Sequence, residues 1–128
     1  MNIAKYSGYY LIATGVLHSI IGLMMGWQTL LSMHQDGWYF STVVNNQLAF
    51  DREAISWFLL CGCFWILFGL LLQKALNEGF KPPQSLAVGF ITIGIVVAVI
   101  MPVSGAYLFI LQGIILLFYR PENNLTKG

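Results

Sequence analysis

Four long apolar stretches fill most of the chain, and polar segments separate them. The stretches cover residues 6–31, 54–72, 86–101 and 107–119. About 20 apolar helical residues, each rising about 1.5 Å, cross the hydrocarbon core of a bilayer. The third and fourth stretches reach this length only if their polar flanks enter the interface. The pattern predicts an all-α fold, an integral membrane four-helix bundle that forms a single transmembrane domain over residues 1–128.

The composition favours the same class of protein. Hydrophobic residues make up 58% of the chain and charged residues 9%, whereas soluble domains carry about 25% charged residues. We therefore expect no separate water-soluble domain, and any activity must use the helices or the long connection after the first one. The net charge of +1 argues against a nucleic-acid partner. The first apolar stretch exceeds the roughly 7–15 residues of a signal-peptide core, so we expect it to remain as a helix.

The charges predict an orientation in the membrane. If the four helices alternate, five basic residues fall on one side: Lys5, Lys74, Lys81, Arg120 and Lys127. The other side holds Arg52 with Asp36, Asp51 and Glu53. Basic residues concentrate on the cytoplasmic side of membrane proteins. We expect a multi-pass protein of the inner cell membrane, with cytoplasmic N- and C-termini and residues 32–53 outside.

The first helix combines a stripe of small residues with one imidazole. Gly8, Gly15 and Gly22 recur every seven residues, and His18 falls on the same stripe. Small residues let membrane helices approach closely, so the stripe predicts a packing face and a candidate homodimer contact. A neutral His18 near the bilayer midplane has two interpretations. It bonds Gln112 or a backbone carbonyl and joins helices, or it contacts a ligand, a proton or a substrate.

The connection over residues 32–53 is long for a membrane hairpin. Its apolar residues at 40, 43, 44 and 48 follow helical spacing, and Trp38 suits a headgroup boundary. We expect a short interfacial helix that covers the outer mouth. The alternative is a β-hairpin that turns at Asn45-Asn46, and an isolated hairpin has only marginal stability.

The acidic residues after this connection allow two interpretations. Asp51 fits the cap of the second helix and Glu53 its first turn, where negative charge is favoured. With His34 and Asp36 they would instead form an outer cluster for a divalent cation or an amine. Their spacing matches no ligand pattern, so we expect no metal and no cofactor. Arg52 between the acids indicates a local ion pair.

Three short motifs suggest a family resemblance. They are Leu17-His18 followed by Gly22, the tryptophan-bearing outer loop, and Pro102-Val103-Ser104-Gly105-Ala106-Tyr107. With these motifs the chain resembles a family of small bacterial four-helix membrane proteins that has no assigned function, and it is loosely similar to the DoxX-like group. The resemblance implies a four-helix membrane fold in a bacterium, and it carries over no catalytic residue.

Three functions fit the sequence. The first, which we favour, is an accessory, assembly or binding protein whose bundle accepts a lipid, a quinone-like molecule or another helix. The second is a small transporter or channel working as a homo-oligomer, in which His18 and Gln112 line a route. The third is a membrane enzyme for a lipid-soluble substrate, with acid and base groups drawn from His18, His34, Asp51 and Glu53. The candidate ligand-binding or proton-linked residues are His18, Gln112, Trp38 and Glu53.

Overall fold

The structure, a computed structural model, describes residues 3–119 and is mostly helical within them. A 3-10 helix, Ile3–Tyr6, leads into α1. The α-helices are α1 (Ser7–Met25), α2 (Trp27–Gln35), α3 (Phe50–Asn77), α4 (Gln84–Ile100) and α5 (Tyr107–Leu117). Two short strands, β1 (Val43–Val44) and β2 (Gln47–Leu48), stand between α2 and α3. The predicted all-α class is confirmed. Two of the basic residues that support the predicted orientation, Arg120 and Lys127, lie outside the described part of the chain.

The chain divides into two compact units. The terminal unit contains residues 3–13 and 67–119, and the central unit contains residues 14–66. Helices α1 and α3 each contribute one segment to each unit. Between residues 3 and 119, two helical segments are long and apolar enough to cross a membrane, Ala4–Met25 and Phe50–Asn77. Helices α4 and α5 are apolar but shorter, with 17 and 11 residues.

The first apolar stretch bends at Gly26, so the prediction of one helix over residues 6–31 is wrong at this point. Gly26 separates α1 from α2 with φ −92° and ψ 6°. The hydrogen bonds continue across it, because its N–H donates to Gly22 at 2.8 Å and its carbonyl accepts from Leu30 at 2.9 Å. A Cβ on Gly26 would collide with the side chain of Ile55 in α3. The absence of a side chain at position 26 therefore allows α3 to pack against the bend.

Helix α2 ends at a glycine with a left-handed backbone. Gly37 has φ +86°, the N–H of Gly37 donates to His34, and the N–H of Trp38 donates to Met33. This is the Schellman pattern, which satisfies carbonyls that the helix end leaves without partners. The first residues of the expected loop are thus helical, and the irregular segment begins only at Asp36.

A β-hairpin occupies the middle of the connection, so the expected interfacial helix is wrong and the hairpin turning at Asn45-Asn46 is confirmed. The strands pair antiparallel, with Val43 opposite Leu48 and Val44 opposite Gln47. Asn45 and Asn46 have φ of +53° and +60°. Two consecutive left-handed residues form a type I′ turn, which matches the twist of paired strands, and asparagine tolerates this conformation. The left-handed backbone of Asn45 and Asn46, and not the apolar spacing, therefore determines the structure of this segment.

The terminal unit has its core where α3, α4 and α5 meet. Leu72, Leu76, Ala87 and Leu116 are buried together. Helices α4 and α5 pack closely because glycines stand at their contacts. A Cβ on Gly94 would lie 2.9 Å from the Ile110 nitrogen, and one on Gly113 would lie 2.5 Å from the Ala87 carbonyl oxygen. The tight pairing of the last two helices therefore rests on backbone contact.

Two glycines of α4 provide a matched test of this packing. We expect Gly94→Ala to lower the free energy of unfolding by about 1–3 kcal/mol, because the new methyl group overpacks the contact with α5. Gly89 has no neighbouring atom within 4 Å of an added Cβ. Gly89→Ala should keep or raise stability, since alanine favours a helix by about 1 kcal/mol over glycine. Thermal unfolding in mild detergent, followed by circular dichroism, measures both, and equal effects would contradict the packing described here.

Candidate functional site

Glycines line the contact between α1 and α3 inside each unit. In the central unit a Cβ on Gly15 would lie 2.9 Å from the Gly62 carbonyl oxygen, and one on Gly22 would lie 2.7 Å from the Phe58 ring. In the terminal unit a Cβ on Gly8 would lie 2.5 Å from the Gln73 nitrogen. The stripe Gly8, Gly15 and Gly22 thus meets α3 of the same chain. This contact agrees with the predicted packing face, and the candidate homodimer contact stays a prediction.

His18 lies in this contact within the central unit. Its Nε2 is 3.0 Å from the carbonyl oxygen of Phe58, and because a carbonyl only accepts, Nε2 carries the hydrogen. The imidazole stacks on the Phe58 ring with centroids 3.7 Å apart and planes 14° apart, and it lies 4.4 Å from the Trp65 ring. Gln112 was the partner first expected for His18. The structure gives the imidazole the other expected kind of partner, a backbone carbonyl.

Gln112 belongs to the terminal unit, where its side chain is fully buried. Its Nε2 donates to the Ser7 hydroxyl at 2.7 Å and to the Ser7 carbonyl at 3.2 Å. Its Oε1 is buried and accepts no hydrogen bond from the described residues. Gln112 therefore joins α5 to the first residue of α1. The sequence indicated that this glutamine lies deep in a helix, but it did not indicate Ser7 as the partner.

Gln73 is a second buried glutamine, and the sequence reasoning missed it. Its Oε1 accepts the N–H of Tyr9 at 3.2 Å, and its Nε2 donates to the Lys5 carbonyl and to Asn77 Oδ1, each at 2.9 Å. Lys5 and Tyr9 flank the junction of the 3-10 helix and α1, where a helix start leaves backbone N–H groups without partners. Gln73 supplies these partners from α3. The sequence signal that could have indicated this role is a polar amide that directly follows the leucines at positions 70–72 and precedes Lys74.

The loop before α3 is held by one arginine. Arg52 pairs with Asp36 Oδ2 through Nη2 at 2.7 Å and donates to the Ser41 carbonyl through Nη1, also at 2.7 Å. The arginine side chain is 12% exposed, whereas that of Asp36 is 54% exposed. Arg52 forms an ion pair, but the expected local pairing is wrong, because its partner is Asp36, 16 residues earlier, and not Asp51 or Glu53.

Trp38 and Glu53 have separate surroundings. Trp38 is exposed, has φ +65°, and donates from Nε1 to His34 Nδ1 at 3.0 Å. A left-handed conformation costs a bulky residue about 1–3 kcal/mol. Glu53 lies in the first turn of α3, as predicted, and Asp51 is the second residue of this helix instead of its cap. His18, Trp38 and Gln112 thus bond three different partners, Phe58, His34 and Ser7.

A shallow groove lies between the bend of α1 and α2 and the start of α3. Its volume is about 260 Å³, slightly below the roughly 300–1,000 Å³ of typical ligand pockets. Its lining residues are Gly22, Met25, Gly26, Thr29, Asp51, Ala54, Ile55 and Phe58. The Phe58 ring therefore forms part of the groove and also stacks on His18. Within residues 3–119, no group of three or more His, Cys, Asp or Glu side chains is placed to hold a metal ion.

Within the described residues, these features define a mostly helical protein with two helices long and apolar enough to cross a membrane and a small open groove beside the first of them. The chain belongs to a family of unknown function, DUF6463, whose model matches residues 2–123. No curated protein and no solved structure matches it.

Gln73 offers the sharpest test of the buried amides. Gln73→Leu should lower the free energy of unfolding by about 1–3 kcal/mol, because the Tyr9 N–H and the Lys5 carbonyl lose a buried partner. Gln84→Leu makes the same change at an exposed position, the first residue of α4, and should have little effect. Thermal unfolding in mild detergent compares the two variants. A Gln73→Leu protein as stable as the Gln84→Leu protein would show that the amide does not hold the start of α1.

Proposed function

We propose that this chain is an integral membrane protein of the bacterial inner membrane whose apolar helices α1, α3, α4 and α5 form a four-helix bundle. Large apolar side chains that face outward support this proposal. On α4, Val99 and Ile100 are 77% and 73% exposed, and Phe64, Leu67 and Leu71 of α3 are also exposed. A helix that is apolar on its outer face needs lipid or protein around it. The bilayer is then the principal partner of this surface.

We further propose that the protein acts as an accessory, assembly or hydrophobic-ligand-binding protein. The observation that supports this proposal is that polar side chains within the helices form hydrogen bonds between helices. His18, Gln73 and Gln112 each bond backbone groups of a neighbouring helix, so their hydrogen-bonding capacity joins helices. We expect the apolar outer surface and the groove to contact other molecules.

The two other candidate functions receive less support from the geometry. A transport route needs several polar groups facing a common path, and His18 and Gln112 are each bonded to backbone inside their own unit. An active site needs an acid and a base near a shared substrate position. His18 lies against Phe58 and Trp65, whereas Glu53 lies in the first turn of α3, so the candidate acid and base groups have different surroundings.

The proposed ligand is a lipid or a quinone-like molecule bound at the protein surface. A groove of about 260 Å³ accommodates part of such a molecule, and the rest of it would lie along exposed helix surfaces in the bilayer. Such binding gains affinity through van der Waals contact, because lipid already keeps the apolar surface of the ligand out of water. Because the bilayer already surrounds the chain of such a ligand, selectivity has to come from polar groups at the groove.

Membrane residence and orientation can be tested with single cysteines in a Cys61→Ser, Cys63→Ser background. Gln47→Cys reports on the hairpin, Val103→Cys on the turn between α4 and α5, and Glu78→Cys on the end of α3; all three positions are exposed. With cytoplasmic termini, a membrane-impermeant maleimide should label positions 47 and 103 in intact spheroplasts and position 78 only after lysis. Alkaline carbonate should leave the protein in the membrane pellet.

Release of the protein by carbonate would contradict the membrane proposal. Labelling of position 78, but not of positions 47 and 103, in intact spheroplasts would reverse the orientation. The cysteine-free background labelled in parallel controls for nonspecific reaction, and a permeant maleimide shows that each cysteine is reactive.

A further inference from the structure

The groove of the central unit runs between two antiparallel helical segments. Gly22 meets the Phe58 ring and Gly26 meets Ile55, so residue numbers fall along α3 as they rise along α1 and α2. The same register brings Thr29 and Asp51 to one end of the groove and Gly22 and Phe58 to the other. Asp51 and Phe58 are seven residues apart, which is about 10 Å along a helix.

The two ends of the groove differ in chemistry. One end offers the Asp51 carboxylate and the Thr29 hydroxyl, and the other is lined by Ala54, Ile55 and Phe58. Within the described part of the chain, Asp51 takes part in no ion pair or side-chain hydrogen bond, because the adjacent Arg52 is bound to Asp36 and Ser41. The groove therefore presents one negative charge, and its lining contains no basic residue to balance it.

The apolar end of the groove is fixed in position. The Phe58 ring stacks on the His18 imidazole at 3.7 Å, and the His18 ring is itself hydrogen-bonded to the Phe58 carbonyl. Aromatic rings pack well against alkyl chains and lose little freedom when they are already held. Phe58 thus forms a preorganised wall for an apolar chain.

The groove also has the orientation that a membrane amphiphile requires. Trp27 and Trp57, at the first residue of α2 and in the second turn of α3, are 59% and 61% exposed, and exposed tryptophans concentrate at the membrane–water boundary. In the proposed topology Trp57, the residue next to Phe58, places the apolar end of the groove at this boundary, and Asp51 lies about two helical turns further towards the outer water. A polar head at the Asp51 end would remain near water while its chain extends towards the membrane interior.

We propose that this groove binds the ammonium head and the first carbons of a singly charged alkylammonium amphiphile, with the head at Asp51 and the chain along Ala54, Ile55 and Phe58. The inference rests on the proposed function, because it specifies the hydrophobic ligand of the same membrane protein. A phosphate or carboxylate head would meet the Asp51 charge without a basic partner, so anionic amphiphiles are disfavoured. A neutral alcohol of equal chain length keeps the apolar contacts and loses the ion pair.

The test uses octylammonium, octanol and octanoate as probes of equal chain length. Isothermal titration calorimetry measures their binding to the full chain in neutral maltoside micelles, with empty micelles as the blank. Octylammonium should bind about fivefold more tightly than octanol, the range of a favourable partly exposed ion pair, and octanoate should bind most weakly. Equal affinities for octylammonium and octanol would overturn the proposal.

Two variants and one control separate the charge from the groove. Asp51→Asn should abolish the preference for octylammonium over octanol and leave octanol binding unchanged. Ala54→Leu should weaken the binding of both probes, because it fills the groove next to Asp51. Glu53→Gln removes an equal charge two residues along α3, outside the groove lining, and should retain the preference.

A preference that survives in the Asp51→Asn protein, or that is lost equally in the Glu53→Gln protein, would overturn the assignment of the head group. This outcome is distinct from failure of the proposed function. A protein that resists carbonate extraction yet does not discriminate between octylammonium and octanol remains a membrane protein without this ligand site, whereas a carbonate-extractable protein contradicts both proposals.

Discussion

Close contact between α1 and α3, made possible by glycine, is the constraint on which the other contacts of both units depend. In the central unit Gly15 and Gly62 face each other's helix, and in the terminal unit Gly8 and Gly69 do so. Close approach of two backbones gives extensive van der Waals contact, which holds helices together where lipid already surrounds the apolar side chains. A larger side chain at these positions would meet backbone atoms, which cannot move aside as a side chain can.

The same close approach explains how the polar side chains are used. Because α1 and α3 almost touch, His18 reaches the Phe58 carbonyl and Gln73 reaches the Lys5 carbonyl without an intervening molecule. In a low-dielectric setting an unpaired polar group is costly, so such bonds fix which helices pair and in which register. The stacking of His18 on Phe58 has a further effect, because it holds the Phe58 ring that forms the inner end of the groove.

The sequence predicted the helices better than it predicted their partners. Uninterrupted apolar stretches located α3, α4 and α5 to within about five residues, since few other structures accommodate such stretches. The break at Gly26 stands where α3 leaves no room for a side chain, because of Ile55, a residue 29 positions further along the chain. Glycine inside a helical pattern does not by itself indicate a break. The residues of the hairpin also fit helical spacing, so the choice depended on the left-handed Asn45 and Asn46.

In the candidate site, too, the sequence predicted the type of contact better than the residues that take part in it. A stripe of glycines predicts close packing but does not identify the packing partner, which is why Gly8, Gly15 and Gly22 fitted both a helix of the same chain and a second copy of the chain. Gln73 looked like the end of an apolar stretch, and only the fold brings it against Lys5 and Tyr9. The groove arises from the register between α1, α2 and α3, so no single sequence motif predicts it. The sequence suggested that Asp51 belongs to a cluster of acidic residues, whereas in the structure Asp51 lines the groove together with Ala54 and Phe58.

Disulfide cross-linking in the native membrane tests the contact between α1 and α3 most directly. In a Cys61→Ser, Cys63→Ser background, His18→Cys and Phe58→Cys place two thiols where the side chains they replace stack in the contact between α1 and α3, and neither change adds bulk to this contact. Mild oxidation should give a monomer cross-linked within one chain, which migrates faster on a non-reducing gel and reverts on reduction. Cross-linked dimers in place of this monomer would show that the glycine stripe joins two copies of the chain, and would contradict the account.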